Sequence, residues 1–377
     1  MNALIIGCGI AGPVTAMALQ RVGIESRIFE AYGDDAAGVG SFLNVASNGL
    51  DALRTLGAHH QVMAAGIPTP TMIMWSGTGK RLGQVPNGMA LDDGTVSHTI
   101  QRADLFRIVR DEARSRGIEI SYGKRLVTLD DTGSEVVAHF DDGTTATGDI
   151  LIAADGVHSR TRQLIAPAQP RYSGLYSFGG IVPDGGLPGE PGEYHMVFGK
   201  KAFFGYTVAS GGDTWWFANL PSKIVERQDW KPLLIEAFRG DANDSSGLIA
   251  RSRIDTAVPI YDLAPLPTWH RGRVVLTGDA AHATSPSAGQ GASLAIEDAL
   301  VLADCLKREA DPFAAFEARR RDRVEKVVAY SRRISNNKAA GPVGRVVRDS
   351  LMPFFLRKTA SSESLAWLYR HHVEFSQ

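Results

Sequence analysis

The start of the chain follows the hydrophobic pattern of a strand, a helix and a second strand. Continuous apolar residues at Ala3–Ile6, and again toward the end of Ile24–Phe29, predict two short buried strands. Between them, Pro13–Val22 carries small and apolar residues and predicts a helix. This βαβ order is the unit from which parallel sheets are built.

A different pattern occupies the middle of the chain, where aromatic residues alternate with others between Gly and Pro turns. It is seen in Tyr194–Phe198, Ala202–Val208 and Thr214–Leu220. Such alternation predicts antiparallel strands. Beyond residue 259 the α/β pattern returns, with a strand at Val274–Thr277 and a long helix at Ser293–Arg308. We therefore predict an α/β protein: a Rossmann-like dinucleotide-binding domain with an inserted β-rich domain and a C-terminal helical tail.

Composition then excludes several classes of partner. Among 377 residues, 40 Lys and Arg oppose 41 Asp and Glu, which leaves a formal charge of −1 and argues against nucleic-acid or membrane binding. The two cysteines, Cys8 and Cys305, do not suit a disulfide framework or a thiolate metal site, so no metal is expected. We find no apolar run long enough to span a bilayer and no basic segment of a signal peptide, so we expect a cytoplasmic protein.

A glycine-rich loop joins the first strand to the first helix. Gly7, Gly9 and Gly12 have the spacing Gly-x-Gly-x-x-Gly. The first glycine permits the tight turn, the second lets the backbone approach a pyrophosphate, and the third allows close packing of helix on strand. Glu30, at the end of the second strand, is placed to bind a ribose. The loop predicts a dinucleotide but does not distinguish FAD from NAD.

Two further strand ends carry glycine beside aspartate. Asp155-Gly156 follows one predicted strand, and Gly278-Asp279 follows another. Alone, such a pair is usually a turn in which the aspartate caps a helix. The stretch just before the long helix is again rich in small residues and reads Gly289-Gln290-Gly291-Ala292.

These motifs, in this order over about residues 1–335, resemble the class A FAD-dependent aromatic hydroxylases and monooxygenases, the p-hydroxybenzoate-hydroxylase-like family. Within it the chain is most similar to short salicylate- and urate-hydroxylase-like and tetracycline-modifying members. The resemblance implies that FAD occupies the glycine loop and that NADPH or NADH binds transiently as reductant. It also implies that reduced flavin and O2 form a C4a-hydroperoxide, which hydroxylates an aromatic ring or epoxidises an alkene.

The resemblance assigns cofactor-binding positions residue by residue. Asp279 is expected to accept hydrogen bonds from the ribityl chain, Arg102 to approach the flavin and its phosphates, and Leu126 to lie near the adenine. Pro286 is expected near the ring edge where oxygen is activated. The expected set is Gly7, Gly9, Ile10, Ala11, Gly12, Glu30, Ser41, Arg102, Leu126, Asp155, Gly156, Gly278, Asp279, Pro286, Gly289, Gln290, Gly291 and Ala292.

The expected domain boundaries follow from the same comparison of motifs and composition. The FAD-binding domain is expected to be discontinuous, the β-rich substrate-binding domain to come in two pieces, and a helical segment to close the chain. The expected ranges are 1–70, 96–170 and 257–335 for the first, 71–95 and 171–256 for the second, and 336–377 for the third.

The β-rich domain is expected to form a wall of the substrate pocket over the flavin. The substrate-binding candidates are Asn44, Phe204, Tyr206 and Trp216. Alternation lets only about half of the aromatic residues face the pocket, and the sequence does not say which half. The flavin chemistry needs no strong acid or base, but His195 or Tyr206 could accept the proton of a phenolic substrate.

Three further features bear on the interpretation. Many relatives carry an arginine where this chain has Gly179, which favours a substrate larger or less acidic than a simple benzoate. The basic run Arg319–Arg323 predicts a solvated helix face. His282 is expected to be a structural, hydrogen-bonding residue.

We therefore expect an FAD-dependent monooxygenase that acts with O2 on a small molecule, as a monomer or homodimer. The alternatives are a flavin-dependent halogenase or reductase on the same fold, and a non-catalytic FAD-binding protein. Trp215-Trp216 does not supply the Trp-x-Trp-x-Ile-Pro signature usual in halogenases. The substrate, the position of attack and the choice between NADH and NADPH stay open.

Overall fold

The computed structural model describes residues 1–34, 41–223, 229–336, 342–359 and 362–375. Within them the strands are β1 (Asn2–Ile6), β2 (Glu25–Phe29), β3 (Phe42–Val45), β4 (Ile67–Pro68), β5 (Thr71–Ser76), β6 (Arg81–Pro86), β7 (His98–Gln101), β8 (Glu119–Ser121), β9 (Leu126–Asp131), β10 (Val136–Phe140), β11 (Thr145–Gly148), β12 (Ile150–Ala153), β13 (Arg171–Val182), β14 (Glu193–Phe198), β15 (Phe203–Val208), β16 (Thr214–Pro221), β17 (Thr256–Asp262), β18 (His270–Arg271) and β19 (Val274–Leu276). The helices are α1 (Ala11–Arg21), α2 (Ser47–Thr55), α3 (His59–Ala65), α4 (Arg102–Ser115), α5 (Arg160–Ile165), α6 (Trp230–Phe238), α7 (Ser245–Arg251), α8 (Asp279–His282), α9 (Gly291–Arg308), α10 (Pro312–Asn336), α11 (Pro342–Thr359) and α12 (Ala366–Tyr369).

The first sheet is largely parallel and has the strand order β18-β19-β12-β1-β2-β8. The central strand β1 pairs in parallel with β2 on one side and β12 on the other, and β19 continues the sheet in parallel beyond β12. The near-continuous apolar runs of β1, β12 and β19 fit a sheet covered on both faces, and Ala3–Ile6 is buried. Parallel strands bring their carboxyl ends to one edge, so the loops after β1, β2, β12 and β19 meet there.

The second sheet has the order β17-β13-β16-β15-β14-β5-β6 and is antiparallel except where β14 pairs with β5. Helices α6 and α7 pack on one of its faces and bury residues such as Phe204, Trp216 and Phe238. Strand β17 pairs with β13, so this sheet continues past residue 257, where we expected the chain to have returned to the nucleotide-binding domain.

Smaller elements complete the fold. Strands β3, β7 and β4 form a three-stranded sheet, and β9, β10 and β11 form a meander that begins at Leu126. Of the expected helical tail, α11 lies against β6, whereas the residues after α12 are not helical. Within the described ranges, no helix is both long enough and apolar enough to cross a bilayer.

Candidate cofactor and substrate site

The three glycine-bearing strand ends lie against one another at the carboxyl edge of the first sheet. An added Cβ at Gly7 would overlap the carbonyl oxygen of Ala154, and one at Gly278 would lie 3.3 Å from the Cβ of Ala11. Each of these contacts joins segments that are more than a hundred residues apart in sequence. The edge therefore forms one site from three distant parts of the chain.

The glycine loop has the shape that a pyrophosphate needs. Gly7 has a φ of +103°, a conformation that favours glycine, and an added Cβ at Gly12 would overlap the Gly7 carbonyl oxygen. An added Cβ at Gly9 meets no described atom within 4 Å, so a ligand can approach the backbone there. Ile10 precedes the first residue of α1, whose first N–H groups have no acceptor within the helix.

Glu30 fixes this loop through the backbone. Its Oε2 accepts a hydrogen bond of 2.7 Å from the Cys8 N–H, and its Oε1 accepts one of 3.0 Å from the Tyr32 N–H. Each carboxylate oxygen can accept a second hydrogen bond. Burial raises the pKa of the Cys8 thiol to about 12, with a further contribution from the Glu30 charge, so Cys8 stays a neutral thiol.

Asp155, at the second strand end, uses one carboxylate oxygen to order its turn and leaves the other without a hydrogen bond from any described residue. Its Oδ2 accepts hydrogen bonds from the Thr161 N–H at 2.9 Å and the Thr161 hydroxyl at 3.0 Å. Its Oδ1 is buried and has no hydrogen-bond partner among the described residues. The neighbouring Gly156 has a φ of +76° and open space where a side chain would lie. Asp155 therefore orders its turn and also offers a free acceptor.

Asp279 begins α8 at the third strand end. The residue is exposed to solvent on one side, yet protein atoms surround its carboxyl closely and displace part of the bulk water. This loss of bulk water raises the pKa of its carboxyl, whereas the charges of His282 and Arg102 act in the opposite direction. The Arg102 guanidinium therefore lies close enough for its charge to act on the Asp279 carboxyl. The Arg102 N–H donates to the carbonyl oxygen of Ser41 at 2.9 Å, which joins α4 to β3.

A buried charge network behind Asp279 holds the turn in place. Asp298 on α9 accepts hydrogen bonds from the Gly278 N–H at 3.1 Å, from His282 at 2.6 Å and from Arg320 at 2.7 Å. Burial alone would raise the pKa of the Asp298 carboxyl, but the charges of His282 and Arg320 hold it well below its usual value. The expected structural role of His282 is confirmed by this hydrogen bond.

We expected the basic run on α10 to form a solvated helix face. The structure instead buries part of it. Arg320 is buried and pairs with Glu297 at 2.8 Å as well as with Asp298, and Arg323 pairs with Glu297 at 2.7 Å. Arg319 remains partly exposed. Sequence analysis missed this network, although one signal was present: Glu297-Asp298 interrupts an otherwise apolar helix, and buried carboxylates need partners.

The amino end of α9 supplies the last part of the site. Gly289 has a φ of +62°, and an added Cβ there would lie 3.5 Å from Asn44. Gln290 is buried and accepts a hydrogen bond of 3.0 Å from Asn48, so it anchors the loop. Pro286 opens the short turn before this loop, and Gly291 and Ala292 begin α9. The loop thus presents free N–H groups and the positive end of an 18-residue helix beside Asn44.

The donor set fits a dinucleotide such as FAD. The open space beside Gly9 and Gly156 fits a pyrophosphate. The unused acceptor positions of Glu30 and Asp155 fit hydroxyl groups, and the Arg102 guanidinium fits a phosphate. Leu126 is buried at the start of β9. No group of three or more His, Cys, Asp and Glu side chains in the described part of the chain could hold a metal ion.

The second sheet turns one face toward this site, and we call it the inner face. Phe42 on β3 lies with its ring centroid 6.0 Å from those of Tyr194, Trp215 and Phe217. Side chains two residues apart share a face, so Met196 and Phe203 belong to the same side. The inner face is thus defined by Tyr194, Met196, Phe203, Trp215, Phe217 and their same-side neighbours.

Most of the residues expected to touch the substrate lie on the opposite face. Phe204, Tyr206 and Trp216 pack with the helices α6 and α7 in a separate hydrophobic cluster. The Tyr206 hydroxyl donates to the Pro188 carbonyl at 2.7 Å, and burial raises its pKa. Asn44, by contrast, lies beside Gly289 at the cofactor loop.

His195 also belongs to the face away from the flavin site. Its ring stacks on Tyr206 at a centroid distance of 4.6 Å, and its Nδ1 accepts a hydrogen bond of 3.1 Å from the Trp75 indole. Its Nε2 lies 3.3 Å from Glu193. Burial lowers the pKa of the imidazole, so a neutral ring with Nδ1 as acceptor fits this environment. The structure does not bring His195 near Asp279 or Asn44.

Comparison with known proteins identifies the family. Residues 1–214 and 264–331 match the family model described as "FAD binding domain". A FAD-dependent urate hydroxylase from Klebsiella pneumoniae is 32% identical over 88% of this chain and 89% of that protein. An aurachin C monooxygenase/isomerase from Stigmatella aurantiaca is 32% identical over 89% and 88% of the two chains.

Solved structures agree with the sequence comparison. Klebsiella pneumoniae HpxO, complexed with FAD and uric acid, superposes with a TM-score of 0.84 at 26% identity and covers 97% of each chain. A salicylate hydroxylase substrate complex shares the fold, with a TM-score of 0.80 at 21% identity over 99% of this chain and 96% of the other. The chain therefore belongs to the FAD-binding domain family and is one of its class A FAD-dependent monooxygenases.

Proposed function

We propose that this protein uses NADPH or NADH and O2 to hydroxylate, or to epoxidise, an aromatic or polyketide-like small molecule. One observation carries the proposal. Three strand ends with room and acceptors for a dinucleotide lie together, and β3, whose Asn44 lies beside Gly289, packs through Phe42 on an apolar aromatic wall where a ring could lie. Bound FAD would supply hydride acceptance and the activation of O2.

The residues of this chain would bind the cofactor, orient it and shield the reacting ring from water. Gly7, Gly9 and the amino end of α1 would hold the pyrophosphate, and Glu30 a ribose. Asp279 and Asp155 would accept hydrogen bonds from hydroxyl groups of the cofactor. The free N–H groups at the start of α9 would face the electron-rich edge of the flavin, where the positive end of the helix favours negative charge.

The relatives support a small ring as substrate. Their printed names include urate hydroxylase, 6-hydroxynicotinate 3-monooxygenase and aurachin C monooxygenase/isomerase. Urate and 6-hydroxynicotinate are small heterocyclic compounds. The apolar inner face would exclude water from the reacting ring and so limit unproductive release of peroxide. We propose that the protein works in the cytoplasm, where reduced nicotinamide is available, as a monomer or homodimer.

The test begins with the cofactor. Purified protein incubated with FAD should be yellow, and Asp279→Ala should lose most of its flavin because the ribityl chain loses its acceptor. Asp130→Ala, an exposed carboxylate of β9, is the matched control and should keep its flavin. A folded, colourless wild type that refuses FAD in excess would end the proposal.

The second step tests the reaction. A panel of phenols, pyridines and polyketide-like aromatics is screened for accelerated NADPH or NADH oxidation together with an oxygenated product. Stoichiometric product from at least one ring is expected. Flavin reduction that no ring accelerates would instead favour a reductase.

A further inference from the structure

We infer that the substrate of this site is a neutral, apolar ring system, and that the inner face selects against carboxylated rings. The inference rests on the proposed function, since it concerns the ring that the flavin would attack. It is carried by which side chains the strand register places on the inner face.

The register defines the composition of this face across neighbouring strands. Tyr194 pairs with Met72, Met196 with Met74 and Gly205, and Gly205 in turn with Phe217. Phe217 pairs with Gly179, and Phe203 with Asn219. Pairs of this kind lie on the same side of a sheet. Methionines and aromatic rings therefore cover the centre of the face.

Charge is the property that the centre of this face lacks. The side chains that β5, residues 175–182 of β13, and β14–β16 direct to the inner face include no Asp, Glu, Lys, Arg or His within the described residues. Arg171, at the far end of β13, is paired with Asp262 at 3.0 Å. The polar groups at the centre are uncharged: the hydroxyls of Ser76, Ser177, Tyr194 and Thr207 and the amide of Asn219. Burial raises the pKa of the Tyr194 phenol, so this group also stays neutral. Among these described residues, no cation at the centre of the face is placed to pair with a carboxylate.

One cation beside the face, Arg348, has an ion-pair partner, while its Nη1 is buried with no hydrogen-bond partner among the described residues. Arg348 on α11 stacks on the ring of Phe198 at 4.7 Å and forms an ion pair with Asp349 at 2.8 Å. Its Nη2 also reaches the Phe198 carbonyl. Phe198 ends β14, whereas Phe42 contacts Tyr194 near its start, so Arg348 lies at the end of the strand away from Phe42.

The selection against carboxylated rings follows from the free-energy cost of removing water from a carboxylate. Moving a carboxylate from water into an apolar site without a counter-charge costs several kcal/mol, whereas an apolar ring gains from burial. Methionine adds a polarisable, adaptable surface against a flat ring. A neutral bicyclic ring should therefore bind more tightly than the same ring carrying a carboxylate.

The experiment compares two probes that differ in one group, 2-naphthol and 6-hydroxy-2-naphthoate, at pH 7.5. Dissociation constants are measured on the FAD-loaded protein from the change in the flavin absorption spectrum, without reductant. We expect 2-naphthol to bind at least tenfold more tightly. Equal binding, or tighter binding of the naphthoate, would overturn the inference.

Variants test whether the inner face is responsible. Met196→Arg should reverse the preference toward the naphthoate, and Met74→Arg is the second variant in case the first does not fold. Leu233→Arg adds the same charge at an exposed position of α6, behind the sheet, and should keep the wild-type preference. If Arg348 recruits the carboxylate instead, the wild type will favour the naphthoate and Arg348→Met will abolish that preference, which also contradicts the inference.

Failure of this inference is separable from failure of the proposed function. Absence of FAD binding, or of ring-stimulated nicotinamide oxidation, contradicts the function. Tight binding and turnover of carboxylated rings leaves the function intact and removes only the inference.

Discussion

The three glycines of the first loop serve different purposes, and their surroundings separate these purposes. Gly12 has no room for a side chain because the Gly7 carbonyl occupies that position. Gly9 has room within the protein, and its φ does not lie in the left-handed region. The need for glycine at position 9 therefore comes from a ligand, whereas the need at position 12 comes from packing.

This difference gives a prediction at the residue scale. Gly9→Ala should leave the melting temperature of the FAD-free protein unchanged and weaken FAD binding at least tenfold, about 1.4 kcal/mol. Gly12→Ala should lower the stability of the FAD-free protein itself by about 1–3 kcal/mol, because helix and loop must separate. Melting curves and FAD titrations of both variants are the measurement. A destabilised Gly9→Ala protein with normal FAD affinity would contradict this division.

At the scale of elements, helices α9 and α10 connect the cofactor loop to the rest of the domain. Glu297 and Asp298 come from α9, and Arg320 and Arg323 from α10. Asp298 also holds the Gly278 N–H, so the crossing of the two helices fixes a turn that the cofactor would touch. Buried ion pairs add little net stability, but breaking one leaves a charge without a partner.

Two neighbouring arginines on α10 make this testable. Arg320→Met should lower the free energy of unfolding by about 3–5 kcal/mol, because Glu297 and Asp298 lose a shared, fully buried partner. Arg319→Met should cost at most about 1 kcal/mol, because Arg319 is partly exposed and Asp304 keeps Arg308 at 2.7 Å. Urea unfolding of both variants measures the difference. Equal losses would show that the network is not the cause.

Local patterns predicted some of these elements well, and tertiary packing decided the rest. The βαβ opening and the Gly-Asp strand ends are local, so spacing alone located them. The choice of sheet face is not local: both faces of β14–β16 are aromatic, and only the contacts of Phe42 on one side and of α6 on the other separate them. The burial of Arg320 likewise depends on carboxylates from another helix. The domain boundaries stay a prediction.

At the scale of the whole molecule, the second sheet meets the segment before β3 through very small side chains. Gly179 on β13 packs directly on Ser41, and an added Cβ there would overlap the Ser41 side chain. Ser41 in turn accepts the hydrogen bond from Arg102 at the start of α4. Gly179 thus allows close approach between the inner face and the segment that leads into β3.

The contact between Gly179 and Ser41 can be tested by adding a methyl group at one position and removing the side chain at the other. Gly179→Ala alone should destabilise the FAD-free protein by about 1–3 kcal/mol, because the new methyl group displaces Ser41 and the segment that leads into β3. Combining it with Ser41→Gly removes the obstructing atoms, so the pair should show a favourable coupling of about 1 kcal/mol or more in a double-mutant cycle. Gly211→Ala, in an open turn of the same sheet, is the control and should combine additively with Ser41→Gly. Additive effects of the first pair would mean that Gly179 and Ser41 are not in contact. Strong coupling would mean that Gly179 allows the close approach between the inner face and the segment that leads into β3.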